Sequence, residues 1–169
     1  ARQGEVWDKA VRYLRQAGTK AFLRSAHREA ATCFEQALDA LRRLPEHPDA
    51  IAESLDLRFD LRNALLLLGE YERIGALLDE AEALAEAAGD QRRLGRALNI
   101  KVIHFAQAGD LAAAIQAGLR ALAIGESQSD VAIQVVANDH LGWAYMARGE
   151  CREGVRHCEA ALALIPEGL

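Results

Sequence analysis

The chain has 169 residues, 51% of them apolar but only 5% aromatic, with three prolines and a formal charge of −5. A chain of this length can bury a core, and so mild an acidic balance argues against bulk electrostatic binding to nucleic acid or to an anionic membrane surface. No apolar run reaches membrane-spanning length and no G-x-x-x-x-G-K-[ST] phosphate loop occurs, while three cysteines without a CxxC point to a reducing compartment rather than a disulfide framework.

The first predicted helix covers about residues 5–24, with Trp7, Ala10, Val11, Leu14, Ala17, Gly18 and Ala21 at helical spacing. Ser25 takes the turn, and a second helix over about 27–44 carries Ala30, Phe34, Ala37, Leu38 and Leu41 on one face. Pro45 and Pro48 break it; Pro48 suits the first position of the next helix, where no amide proton is needed. That helix is expected to run to Leu68, turn at Gly69 and return over 70–88. Gly89 with Asp90 then ends one helix and caps the next, glycine supplying a left-handed residue and aspartate an acceptor for free amides. Helices over 91–108 and 111–124 follow around Gly109 and Asp110, with Gly125 expected to close the second and 126–130 expected as a polar linker.

In the last stretch, 135–168, Gly142 is expected to let two helices approach closely, Gly149 to end the first and Glu150 to place charge at the start of the second. Ala161 gives a second close contact, and Pro166 stops the helix. Cys151 and Cys158 lie about two turns apart, too far to bridge within one helix.

The spacing repeats. Gly69, Gly109 and Gly149 are forty residues apart, as are Ala81, Ala121 and Ala161; Ala37 plays the same part in a first repeat offset by four because the connection 44–48 is longer. Leu141-Gly142-x-x-Tyr145, the turn at Gly149, then Ala161 and Pro166 resemble the tetratricopeptide repeat, with Gly154 and Cys158 where alanine and a larger aromatic are usual. Those two departures are expected to loosen packing without moving the register. The resemblance implies an all-α, right-handed superhelix of four TPR-like antiparallel helix pairs, with repeats at about 5–47, 48–89, 90–126 and 128–168 forming one domain over 1–169.

Two stretches resemble a narrower group. Arg15 to Ala21 with Arg28-Glu29-Ala30 and Phe34 to Leu38, and then Asp56 to Leu65, are similar to the C-terminal repeat region of bacterial regulators in which an adenylate/guanylate cyclase domain and an AAA-like ATPase domain precede the repeats. This implies a regulatory arm whose chemistry lies elsewhere in a longer cytoplasmic protein. The absence of an initiating Met fits such a segment.

In tetratricopeptide proteins the first helix of each pair lines a concave groove. The register here places Arg12, Arg15, Thr19 and Phe22 on it in repeat one, then Asp56, Phe59, Asn63 and Leu66 in repeat two. Repeat three contributes Arg96, Asn99, Ile103 and Gln107, and repeat four Val136, Asp139, Trp143 and Met146. Intervals of three or four residues hold each set on one face, and mixed Arg, Asn and aromatic side chains suit a bound peptide or helix. The competing reading of Phe22, Phe59, Ile103 and Trp143 is packing against neighbouring helices. With Phe59, Thr19 and Ile103 at the positions where a carboxylate clamp needs Lys and Asn, only Asn63 matches such a clamp.

Between Arg2 and Arg28 seven basic residues face Glu5 and Asp8, whereas 70–86 is mostly acidic. Arg12, Arg15, Lys20 and Arg24 could receive an acidic segment or simply face water. His157 with Cys151 and Cys158 lacks the ligand count of a metal site. Asp139 with His140, and His104, lack a nucleophile and triad geometry. The pair Asp56 and Asp60 is expected to meet Arg58, Arg62 or a neighbouring helix.

The expectation is therefore a non-enzymatic interaction scaffold without cofactor or metal, binding a protein or peptide segment in its groove and neighbouring an ATPase or cyclase domain. The alternative is a small-molecule sensor arm. Val155, Leu162, Leu164 and Ile165 leave an apolar pattern on the last helix, from which further repeats or self-association is expected.

Overall fold

In the computed structural model the small residues at helical spacing and the regularly placed turn residues produce an all-α chain. The structure describes residues 2–44 and 48–165; Pro45 and Pro166, expected to break or stop helices, lie outside them. Among the described residues there is no strand, and the helices are α1 (Arg2–Leu23), α2 (His27–Leu41), α3 (Pro48–Leu68), α4 (Tyr71–Ala88), α5 (Gln91–Gln107), α6 (Leu111–Ser127), α7 (Val131–Ala147) and α8 (Cys151–Ala163). They fall into two compact units, Ala1–Leu84 and Ala85–Leu169.

Which residues tolerate a left-handed backbone decides where the helices turn. Gly69, Gly89, Gly109 and Gly149 have φ between 67° and 87°, a region that strains any residue with a Cβ. Ser25 (φ 60°) and Ser129 (φ 53°) take it as well. After each of five of these turns an amide reaches back to an open carbonyl at 2.9 Å: Ala26 to Ala21, Asp90 to Ala85, Asp110 to Phe105, Asp130 to Gly125 and Glu150 to Tyr145. The side chains of Asp90, Asp110 and Asp130 then accept from the amides of Arg93, Ala113 and Ile133, capping α5, α6 and α7.

Two expectations change here. Gly125 does not close α6: it is buried inside the helix, where a Cβ would stand 2.8 Å from Gln134 Cγ and 3.1 Å from Ile133 Cγ2. Its smallness serves the α6–α7 contact, and Ser129 makes the turn instead, so the linker shortens to Gln128, Ser129 and Asp130. Glu150 makes no side-chain cap to α8; it pairs with Arg148 at 2.5 Å.

In the first unit, Gly18 of α1 lies under the ring of Phe34 on α2, and a Cβ there would come within 2.6 Å of Phe34 Cε1. Val11, Ala21, Ala30, Ala37 and Leu38 surround that contact, and α3 adds Leu55, Leu57, Phe59, Leu61 and Leu65. Arg58 ties α3 to α4: its Nη2 donates to Glu80 at 3.1 Å and its Nη1 to the Ser54 carbonyl at 3.2 Å. Arg73 of α4 pairs with Glu35 of α2 and with Glu70.

In the second unit, Gly118 on α6 receives Leu141 of α7, whose Cδ2 would be 2.6 Å from an added Cβ. Gly142 on α7 meets Cys158 and Gly154 on α8; added Cβ atoms would stand 2.5 Å from Cys158 Sγ and, at Gly154, 2.9 Å from the Gly142 carbonyl. The expected loosening at Gly154 and Cys158 is thus replaced by close contact: glycine opposite glycine brings the backbones together and the small thiol fills the space left. The repeat register itself is visible as burial, since Ala37, Ala81, Ala121 and Ala161 are all buried.

Candidate functional site

A side chain can serve docking only if it reaches solvent, and the first-helix positions divide on that test. In the first unit Arg12 and Thr19 are exposed, while Arg15, Phe22 and Asn63 are half-buried. Phe59 is 1% exposed, with its ring in the core. It belongs to packing, as does any residue whose helix is covered on that side.

Arg15 joins α1 to α3 by donating from Nε to Asp60 Oδ2 at 3.1 Å. That contact realises the expectation that the Asp56 and Asp60 pair would meet a neighbouring helix. Around it are two hollows. One, of about 540 Å³, is lined by Arg12, Arg15, Gln16, Thr19, Lys20 and Glu53. The other, of about 150 Å³, is lined by Thr19, Phe22, Phe34, Asp60 and Asn63. Thr19 belongs to both. Its hydroxyl donates to the Arg15 carbonyl at 2.9 Å, and Asn63 Oδ1 accepts from Arg62 Nη1 at 3.2 Å. Burial lowers the pKa of Arg62, and its Nε has no hydrogen-bond partner.

In the second unit α7 carries Val136, Trp143 and Met146 at 40%, 47% and 44% exposure, beside exposed Asp139. On α5, Arg96 and Gln107 are exposed and Ile103 is half-buried. Asn99 is 5% exposed, and its Nδ2 donates to the Ile133 carbonyl at 3.3 Å. It therefore braces α7 against α5 and does not line an open face. His140 Nδ1 donates to the Asn99 carbonyl at 3.0 Å, a positioning contact along the same seam.

One cluster escaped sequence reasoning. His157 stacks on Tyr145 at 5.4 Å and 5°, Arg148 lies over the Tyr145 ring, and His157 Nδ1 meets Asn138 Oδ1 at 2.8 Å. Asn138 Nδ2 donates to the Gln134 carbonyl, so its oxygen is the acceptor and Nδ1 of His157 carries the proton. Desolvation first, then Arg156, lowers the His157 pKa, with Glu153 opposing. The signal was present: Arg58, Leu98 and Asn138 stand forty residues apart in one column, and a buried polar residue in an apolar column needs a partner.

Cys151 is exposed and Cys33 and Cys158 are half-buried, all as free thiols. Among the described residues no group of three or more His, Cys, Asp or Glu is placed to hold a metal ion, and no helix is long and apolar enough to cross a membrane.

No protein-family model and no curated protein sequence matches the chain. Solved structures do. The apo form of RapI aligns with a TM-score of 0.83 at 12% identity over 92% of this chain and 56% of its own. Aspartyl phosphate phosphatase F from Bacillus subtilis aligns with a TM-score of 0.82 at 16% identity over 94% of this chain and 40% of its own. A Podosopora anserina kinesin light chain with nearly identical TPR-like repeats gives 0.73 at 18% identity, over 91% and 74%. The chain thus spans about half the length of the first two. At such identities the likeness concerns architecture alone, and the chain has the all-α, tetratricopeptide-like helical-repeat fold.

Proposed function

We propose that this chain is a non-catalytic protein–protein interaction scaffold that docks a partner's segment on the exposed faces of its first helices. The observation that carries this reading is the line of Val136, Trp143 and Met146 left open on α7, in a chain with few aromatic residues to spare. Exposed aromatic and thioether side chains on a rigid helix are the chemistry of interface anchors. Arg15, Asn63 and Trp143 are the residues to test. Replacing each by alanine should weaken binding of a docked segment, measured by calorimetry; three variants with unchanged affinity would remove the assignment.

We place the scaffold in the regulatory arm of a larger cytoplasmic bacterial signalling protein, next to an ATPase or cyclase domain, on the wording shared with that group between residues 15 and 65. Co-purification of the chain with such a domain tests it. Val155 and Leu162 of α8, with Ile165 just beyond, are exposed and support self-association through that helix. Light scattering that reads a monomer at all concentrations would exclude it.

A second reading, a small-molecule sensor arm, draws support from the 540 Å³ hollow, a size common among ligand sites. Thermal-shift screening separates the two, because a bound metabolite raises the melting temperature.

A further inference from the structure

The two hollows of the first unit share Thr19 yet differ in chemistry. In the larger, Arg12, Arg15 and Lys20 stand against Glu53. Arg12 is partnered by Asp8 at 2.6 Å and Arg15 by Asp60 at 3.1 Å, whereas the Lys20 ammonium makes no ion pair among the described residues. A rigid pair of arginines beside a free ammonium favours an anion. In the smaller, Phe22 and Phe34 supply apolar walls. At the junction, Asn63 Nδ2 is a donor without an acceptor, and Thr19 Oγ1 keeps lone pairs after donating its own proton to Arg15 O. One donor and one acceptor side by side match a single peptide group, with its C=O on Asn63 and its N–H on Thr19.

Resting on the docking reading above, we propose that the α1–α3 face of the first unit binds an extended acidic segment of a partner protein. One carboxylate sits against Lys20 and Arg12, a backbone peptide group spans Thr19 and Asn63, and the neighbouring apolar side chain enters the Phe22–Phe34 hollow. Glu53, on the opposite wall, repels the acidic segment and sets a limit on its affinity.

The experiment is selection of a random peptide library on the whole chain, followed by fluorescence anisotropy of the enriched peptides. Acidic peptides with an adjacent apolar residue should be recovered. Lys20→Glu, an exposed change that leaves the core alone, should weaken them about fivefold; Asn63→Ala should also weaken them. Glu53→Gln should tighten binding, and added salt should weaken it. Peptides recovered without acidic residues, or binding indifferent to both Lys20→Glu and Glu53→Gln, would overturn the acidic-segment assignment while leaving docking intact. Failure to recover any peptide would remove both.

Discussion

A hydrogen atom in place of a methyl group decides how close two of these helices come. At Gly142 an added Cβ would meet Cys158 Sγ at 2.5 Å and the Gly154 carbonyl at 3.1 Å. Alanine gains about 1 kcal/mol of helix propensity, but the backbone of α8 cannot yield as a flexible side chain can. Overpacking should therefore win, and Gly142→Ala should lose about 1–3 kcal/mol in urea unfolding; no loss would show that the seam is loose. His157 makes a second prediction at this scale. Its pKa lies below the ordinary 6.5, from desolvation and then Arg156, against Glu153. The unfolded chain takes up the proton first as pH falls, so this contribution to stability is present above about pH 6.5 and is lost as pH drops through the folded-state pKa. His157→Gln, which keeps a polar group near Asn138, should flatten that part of the pH dependence of the unfolding midpoint. An unchanged slope would mean that another group titrates.

At the scale of elements, three helices share one device, an aspartate placed directly after a left-handed residue. Asp110→Ala leaves the Ala113 amide without its acceptor at 3.0 Å and should cost about 1 kcal/mol. Asp110→Asn, which retains an acceptor, should recover most of it; equal losses would point to charge and not to capping. This device explains why the turns at Gly89 and Gly109 were legible in the sequence, since glycine then aspartate states both the stop and the start locally. Gly125 misled for the same reason: an isolated glycine near a helix end looks like a stop, and only the approach of Gln134 and Ile133 from α7 shows that its use is packing. Likewise Phe59 and Asn99 fell at first-helix positions by register, but burial depends on what covers a helix, which register cannot say. Contacts distant in sequence, such as Asn138 to His157 and Arg58 to Glu80, were hidden because nothing local to either partner names the other.

At the scale of the whole molecule, each unit buries its core through alanine, leucine and glycine and leaves selected long side chains open on its first helices. Such a division of labour suits recognition, because a scaffold ordered before binding loses little entropy when a segment docks. It also predicts where protection should appear. The most direct measurement is hydroxyl-radical footprinting of the chain with and without a saturating docked segment. The account predicts reduced oxidation on first helices, at Phe22 or at Trp143 and Met146, with Tyr71 and Cys151 on second helices unchanged. Protection confined to Tyr71 and Cys151, with Phe22, Trp143 and Met146 as reactive as in the free chain, would contradict it.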